Sequence, residues 1–298
     1  MSQQAPAYAD SFVEVAGAGM HVVRAGSGRP LVLMHGIIGS TANWRRTIGA
    51  LAGDASVYAI DQINMGRSQR VRGLDAGLEA TADRVAAAMD GLGLTEADIA
   101  GHSHGGAVAL MLAARHRERV RSLILFAPAN PYSHVGDWLV RAYNTPLGRL
   151  LVRTGPYLPR RIQLAGLARM YGDPARIADG SLQNYIVGLR VPGTMQHILA
   201  IVRDWFPEMA KLEAALPRVA GVPTLLVWGD RDPAVDPASA VKLQRVLPQA
   251  ELRIIPGAGH VAFEEMPEEA NRIMLEWLGR DLQRAASIAK RGGSATVT

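Results

Sequence analysis

The chain has 298 residues, 48% of them hydrophobic and 20% charged, with 31 Gly and 17 Pro. This composition supports a substantial buried core and excludes disorder over most of the length. It fits either two domains of roughly 150 residues or one large α/β domain with an insertion. The net charge of +5 is local: residues 131–220 carry eleven Lys and Arg against six Asp and Glu, and the flanking parts balance. No nucleic-acid partner is therefore expected.

The absence of cysteine excludes disulfides and thiolate metal sites, and nothing favours an oxidising compartment. Residues 1–10 lack the charged and apolar regions of a secretory signal. No apolar run reaches the roughly 18 residues that span a bilayer. A soluble cytoplasmic protein, monomeric or homodimeric, is the expectation.

In chain order, Phe12–Val15 and His21–Arg24 predict an N-terminal hairpin around the Gly17/Gly19 turn. Short β-branched runs then predict strands at Leu31–Met34, Val57–Ile60, Asp98–Ala100, Leu123–Phe126, Thr224–Trp228 and Leu252–Ile255. Helical periodicity falls between them at Ala42–Leu51, Leu78–Leu92, His104–His116, Ala238–Val246 and Pro267–Gln283. Such alternation is the mark of a mostly parallel sheet flanked by helices, with ligands beyond the carboxyl ends of the strands.

One interval departs from the rhythm. Residues 131–216 hold helical stretches punctuated by Pro and Gly and no convincing strand, which predicts a helical insertion dividing a core of residues 1–130 and 217–298. It is also the basic segment, its arginines interleaved with Leu, Ile, Met and Tyr, as in an amphipathic lid with a cationic outer face. The tail from Lys290 to Thr298 is expected to be unstructured.

The strongest local signal is Gly101-His102-Ser103-His104-Gly105-Gly106, directly after a strand and directly before a helix. A strand-to-helix elbow strains its central residue and packs backbone closely, so the positions two before and two after it must be small. The helix N-terminus then offers free N–H groups to an anion at Ser103. A serine hydroxyl needs a base, and the base needs an orienting acid. Candidates follow two later strands, in Gly229-Asp230-Arg231-Asp232 and Gly257-Ala258-Gly259-His260.

The order of serine, acid and histidine resembles the α/β-hydrolase superfamily over essentially the whole chain. That resemblance implies an α/β-hydrolase fold with an eight-stranded, mostly parallel sheet, flanking helices and a helical cap. It implies Ser103 as nucleophile, His260 as general base and Asp232 as acid, since the family's acid stands third after the strand-ending glycine. Asp230 is then a turn residue, and Asp236 a weaker alternative. His35-Gly36-Ile37-Ile38-Gly39-Ser40 resembles the family's oxyanion loop, implying that the N–H groups of Ile37 and His104 form the hole, with His35 structural beneath it. Asp61 to Ser68 resembles the family's D-x-x-G-x-G-x-S turn, with Asn64 where Gly is usual; Asn tolerates the left-handed conformation.

His102 and His104 have H-x-H spacing, but an elbow sends such side chains apart, so no metal is expected. His116, His134 and His197 are expected to be surface or core residues. Ile38, Trp138, Trp205 and Val261 are the substrate-pocket candidates; Trp138, Trp205 and Phe206 also suit plain packing. Serine at position 103 argues against dehalogenase and epoxide hydrolase chemistry, for which relatives use a carboxylate. The expected activity is cofactor-free hydrolysis of a carboxylic ester of a small to medium, largely apolar substrate. The alternative is carbon–carbon bond hydrolysis of the meta-cleavage product type, favoured by a basic cap with Arg190 or Arg203 as carboxylate partner. His102 in place of that family's Asn counts against it. Lactonase, thioesterase and a non-catalytic ligand receptor are further alternatives.

Overall fold

The structure, a computed structural model, describes residues 8–292. One sheet holds β1 (Ala9–Val15), β2 (Ala18–Ala25), β3 (Arg29–Met34), β4 (Ala55–Ile60), β5 (Ala97–His102), β6 (Val120–Phe126), β7 (Thr224–Gly229) and β8 (Glu251–Ile255). Their order across the sheet is β1-β2-β4-β3-β5-β6-β7-β8. Only β2 runs against the others, because it pairs antiparallel with both β1 and β4. The fold is an α/β-hydrolase fold, as the sequence implied.

Alternation along each strand separates two apolar layers. Val32, Met34, Tyr58 and Ile60 face a layer that includes α2 (Leu78–Gly91), α3 (His104–Arg115) and α10 (Pro237–Val246). Leu31, Leu33, Val57 and Ala59 face the opposite layer, with α1 (Arg45–Leu51) and α12 (Pro267–Gly292). The chain passes from β3 to β4 on one side and to β5 on the other, so the loops after β3 and β5 diverge at a topological switch point, where open α/β sheets bind ligands.

Among the described residues no strand lies between β6 and β7. That interval folds as α4 (Asp137–Tyr143), α5 (Pro146–Thr154), α6 (Arg160–Ala168), α7 (Ser181–Leu189), α8 (Thr194–Arg203) and α9 (Trp205–Ala215). The last of these buries Met209, Leu212 and Ala215 in the same layer as α3, so α9 packs with the sheet rather than with the helices before it.

Three local expectations change. The helix expected at Ala42–Leu51 is broken into a 3-10 turn, Thr41–Trp44, and α1. Ser40 and Asn43 form a reciprocal capping box there, Asn43 N–H donates to Ser40 O three residues back, and Asp61 Oδ1 takes the otherwise unpaired Thr41 N–H at 2.6 Å. Strand β8 lies at the edge and exposes Arg253 and Ile254 instead of being buried. Finally, α12 runs on to Gly292, so Lys290–Gly292 of the expected tail are helical, and residues 293–298 lie outside the described residues.

Candidate active site

Ser103 joins β5 to α3 with φ 51° and ψ −119°, a left-handed conformation that costs a residue with a side chain on the order of 1–3 kcal/mol. Its flanking glycines are dictated by close approach: a Cβ on Gly101 would stand 2.5 Å from the Gly105 carbonyl oxygen, and one on Gly105 2.4 Å from that of His35. The elbow is fixed on both sides, since Ser103 N–H donates to Phe126 O at 3.0 Å and Ser103 O accepts from Ala129 N at 2.9 Å. His104 is the first residue of α3, so its N–H has no carbonyl one turn back to bond.

Two loops bring a histidine and a carboxylate together. Asp232, after β7, accepts the Ala234 and Val235 N–H groups on Oδ1 at 2.8 and 3.0 Å, leaving Oδ2 for His260 Nδ1 at 2.8 Å. Both side chains are buried. Asp230 turns the other way and accepts the Gly257 N–H at 2.6 Å, while Asp236 caps α10. The carboxylate paired with His260 is thus Asp232, and the two alternatives are occupied elsewhere.

The loop after β3 is hooked down by His35, whose Nδ1–H donates to Gly36 O at 2.8 Å while Nε2 accepts the Gln62 N–H at 3.1 Å. Full burial pushes His35 below the usual histidine range and keeps it neutral. Asp61 secures the neighbouring turn through His21 Nδ1, Arg67 N and Thr41 N. Burial alone would raise its carboxyl, but these partners hold it lower than usual. Asn64 takes the left-handed φ of 72° that its type tolerates. The loop lies directly on the elbow: a Cβ on Gly36 would be 3.4 Å from Ser103 Cβ and 2.9 Å from His102 Nδ1.

His102 and His104 diverge. The His102 ring lies against that of His260, tilted by 51° at 4.6 Å between centroids, and donates Nε2–H to the His260 carbonyl oxygen at 3.0 Å. Burial, then the neighbouring His260, drives it well below the usual range, so it is a neutral donor. Burial, helped by His197, pushes His104 down to about 3, and burial beside Arg84 pushes His197 to about 4. His197 accepts from Asn64 Nδ2 at 3.3 Å, a core role; His134 is exposed beside Asp137, and His116 pairs with Asp83.

The helical segment meets the site at two seams. His260 N–H donates to Met170 O at 2.8 Å, and Val261 is buried against Leu167, Tyr171 and Tyr185. On the other flank Ile37 packs into an apolar cluster of Met65, Ile198, Ile201 and Val202, with Trp205 beside it. Ile38 stays partly exposed. Trp138, expected in the pocket, is 66% exposed, because α4 turns Val140 and Tyr143 inward and presents Trp138 to solvent. Neither Arg190 nor Arg203 is aimed as expected. Arg203 is engaged by the adjacent Asp204, whereas Arg190 donates to Pro156 O and lies over Tyr157. Arg190 also lines a cavity of about 520 Å³ between α6 and α7, walled by Leu164, Ile177, Leu182 and Ile186.

Two buried acids escaped the sequence reading. Glu265 accepts Gly259 N–H at 2.7 Å and Gly172 N–H at 3.0 Å on one oxygen, and Asp173 N–H and Arg176 on the other, clamping the histidine loop to the helical segment. Glu264 binds Asn43, Arg45 and the Tyr185 hydroxyl, joining the loop after β3 to α7. Burial raises the Glu264 carboxyl despite these donors. Adjacent glutamates four and five residues after a histidine, within Val-Ala-Phe-Glu-Glu-Met, are the signal that could have found them.

The chain is 31% identical over 255 residues, 84% of its length, to the dihydrolipoyllysine-residue acetyltransferase component of an acetoin cleaving system from Pseudomonas putida, and it spans 64% of that relative. It is 27% identical over 244 residues to 2-hydroxymuconate semialdehyde hydrolase from Pseudomonas sp. strain CF600, covering 79% of this chain and 81% of the relative. A solved meta-cleavage product hydrolase from Pseudomonas fluorescens IP01 superposes with a TM-score of 0.76 at 23% identity, over 91% of this chain and 97% of that one. The family model described as alpha/beta hydrolase fold matches residues 29–267, and the chain belongs to that family.

Proposed function

We propose that the protein is a serine hydrolase cleaving a carboxylic ester of a small to medium, largely apolar substrate, with Ser103, His260 and Asp232 as its triad. The observation that carries this reading is the Asp232–His260 hydrogen bond of 2.8 Å on the rim of the sheet that also carries the strained Ser103 elbow. Ser103 Oγ attacks the ester carbonyl while His260 Nε2 takes its proton, and Asp232 stabilises the imidazolium. The N–H groups of Ile37 and His104 receive the oxyanion. His260 then protonates the departing alcohol. Water attacks the acyl-serine by the same route, releasing the carboxylic acid and returning the proton to Ser103. No step calls for a cofactor.

An apolar substrate is supported by the Ile37 cluster on one flank and the Val261 cluster on the other. The helices α4–α8 act in this reading as the cap. Carbon–carbon bond hydrolysis remains the second reading, favoured by the similarity to the relative named 2-hydroxymuconate semialdehyde hydrolase. It lacks the support expected from Arg190 and Arg203, both engaged elsewhere. Turnover of a series of p-nitrophenyl esters alongside a vinylogous diketo acid decides: the ester reading requires kcat/KM on the best ester to exceed that on the diketo acid, and the reverse order transfers the assignment.

A further inference from the structure

The outer helices of the insertion combine two features that the core does not. From Pro131 to Arg169 the sequence holds six arginines and one acid, Asp137, so this stretch carries an excess equal to the net charge of the whole chain. None of Arg141, Arg149, Arg153, Arg160, Arg161 and Arg169 has a carboxylate partner among the described residues. Arg141 lies over the Phe206 ring, the buried Arg149 Nε has no acceptor, and Asp137 is held by His134. Several arginines elsewhere are paired with carboxylates, as in Arg45–Glu264, Arg115–Asp83, Arg121–Glu96 and Arg272–Glu269.

The same stretch exposes large apolar side chains. Leu147, Leu150 and Leu151 stand at i, i+3 and i+4 on α5, hence on one face, and all three point to solvent, while Gly148 on the opposite side is buried against Ala142 of α4. Trp138 on the adjoining α4 and Tyr157 in the turn after α5 are exposed to the same degree, 66 and 67%. Apolar patches of this kind on a soluble domain mark a contact surface.

We propose that this face docks on a lipid bilayer surface containing anionic headgroups. Leucines reach the acyl boundary, Trp and Tyr suit the headgroup level, and unpaired arginines gain from negative surface charge. A second copy of the chain is disfavoured, because its identical face would bring one cationic surface against another. The inference concerns binding alone and stands whether or not the hydrolase reading holds.

The test is co-sedimentation of the full chain with phosphatidylcholine vesicles, with and without about 30% phosphatidylglycerol, at low and high salt. The expected result is binding to the anionic vesicles that weakens at least tenfold at about 0.5 M salt, where charge is screened within a few ångströms. Arg153→Glu, Arg160→Glu and Arg161→Glu, each changing the charge by two, should each weaken binding about twenty- to thirtyfold. Leu150→Ser/Leu151→Ser should also lose binding, with an unchanged melting temperature. If Leu150→Asp/Leu151→Asp fails to fold, the serine pair still decides. The proposal is overturned if wild-type protein ignores anionic vesicles at low salt. It is equally overturned if the arginine reversals abolish binding while the leucine variants keep it, which would mean a purely ionic contact. A lipid-free dimer that Leu150→Ser/Leu151→Ser turns into a monomer, without vesicle binding, would identify a second copy as the occupant.

Discussion

The rim of the sheet and the outer helices of the insertion treat charge in opposite ways. On the rim each buried acid is enclosed by donors: Asp61 by three, Glu265 by backbone N–H groups from two loops and by Arg176, and Glu264 by Asn43, Arg45 and Tyr185. On α4 to α6 the arginines are left without carboxylates among the described residues, and Leu147, Leu150 and Leu151 of α5 are left without cover. A buried polar group short of partners costs about 1–3 kcal/mol, so full satisfaction on the rim holds loops in one geometry. Open valences on the outer helices are tolerated only because water, or a partner, meets them.

The largest effects should come from the rim. Ser103→Ala is expected to lose at least about a thousandfold in kcat with an unchanged melting temperature, since the hydroxyl supports no packing. Asp232→Asn should fall comparably and Asp230→Asn only slightly; kcat/KM on one ester for both variants checks this, and the opposite order would move the acid to Asp230. If Leu147→Ala on α5 cost as much as either, the contrast between the regions would collapse.

His102 tests how far the rim's order extends beyond the three principal residues. It contacts His260 through a tilted ring contact and through its carbonyl, so it acts as a positioning residue. His102→Ala should lower kcat about ten- to a hundredfold with little change in KM, and His102→Gln, which retains a donor, should recover part of the loss. Equal stability loss and no kcat change would leave His102 a packing residue.

The seam between the regions carries its own pH signature. His104 in the core and His197 on α8 are held to about 3 and about 4, below the roughly 6.5 of an unfolded histidine. Both stay neutral when folded and take up protons on unfolding. Their stabilisation is therefore complete above about pH 6.5 and is lost as pH falls from there toward 4. At pH 5 each should cost roughly 2 kcal/mol. Urea unfolding at pH 7 and 5 measures it: His197→Gln should shrink the difference by about that amount, and an unaltered difference would show the seam to be solvated.

The smallest effect concerns aromatic residues. Trp205→Ala, at the Ile37 cluster, should redistribute kcat/KM among ester chain lengths by a few fold, and Trp138→Ala should leave the profile flat. A shift at Trp138 would mean that the outer face reaches the substrate.

Much of the architecture was legible because β-branched runs and amphipathic periods repeat often enough to fix strand and helix order, and because Gly101 and Gly105 are demanded by local close approach. The elbow, the histidine loop and the acid loop are short-range features. The anchoring of the Thr41–Trp44 turn was not legible, since the acceptor of Thr41 N–H is Asp61, twenty residues away. Apart from Gly259, the partners of Glu264 and Glu265 were hidden for the same reason, lying 79 to 221 residues distant. Trp138 misled because an aromatic residue in an insertion reads alike whether it faces a pocket or solvent, and Arg190 because periodicity does not say which carbonyl a guanidinium will find.

The bond from His260 N–H to Met170 O, with Glu265 gripping Gly172 and Asp173, stitches the midpoint of the insertion to the histidine loop. The insertion is thereby pinned to the histidine loop at residues 170–173. On the near side of the stitch, Leu167 of α6 also packs on Val261, so a change of length that leaves these histidine-loop contacts in place falls before it, in α4 and α5. Any recombination point placed within 170–173 itself would have to bring a matching partner for Glu265 along with it.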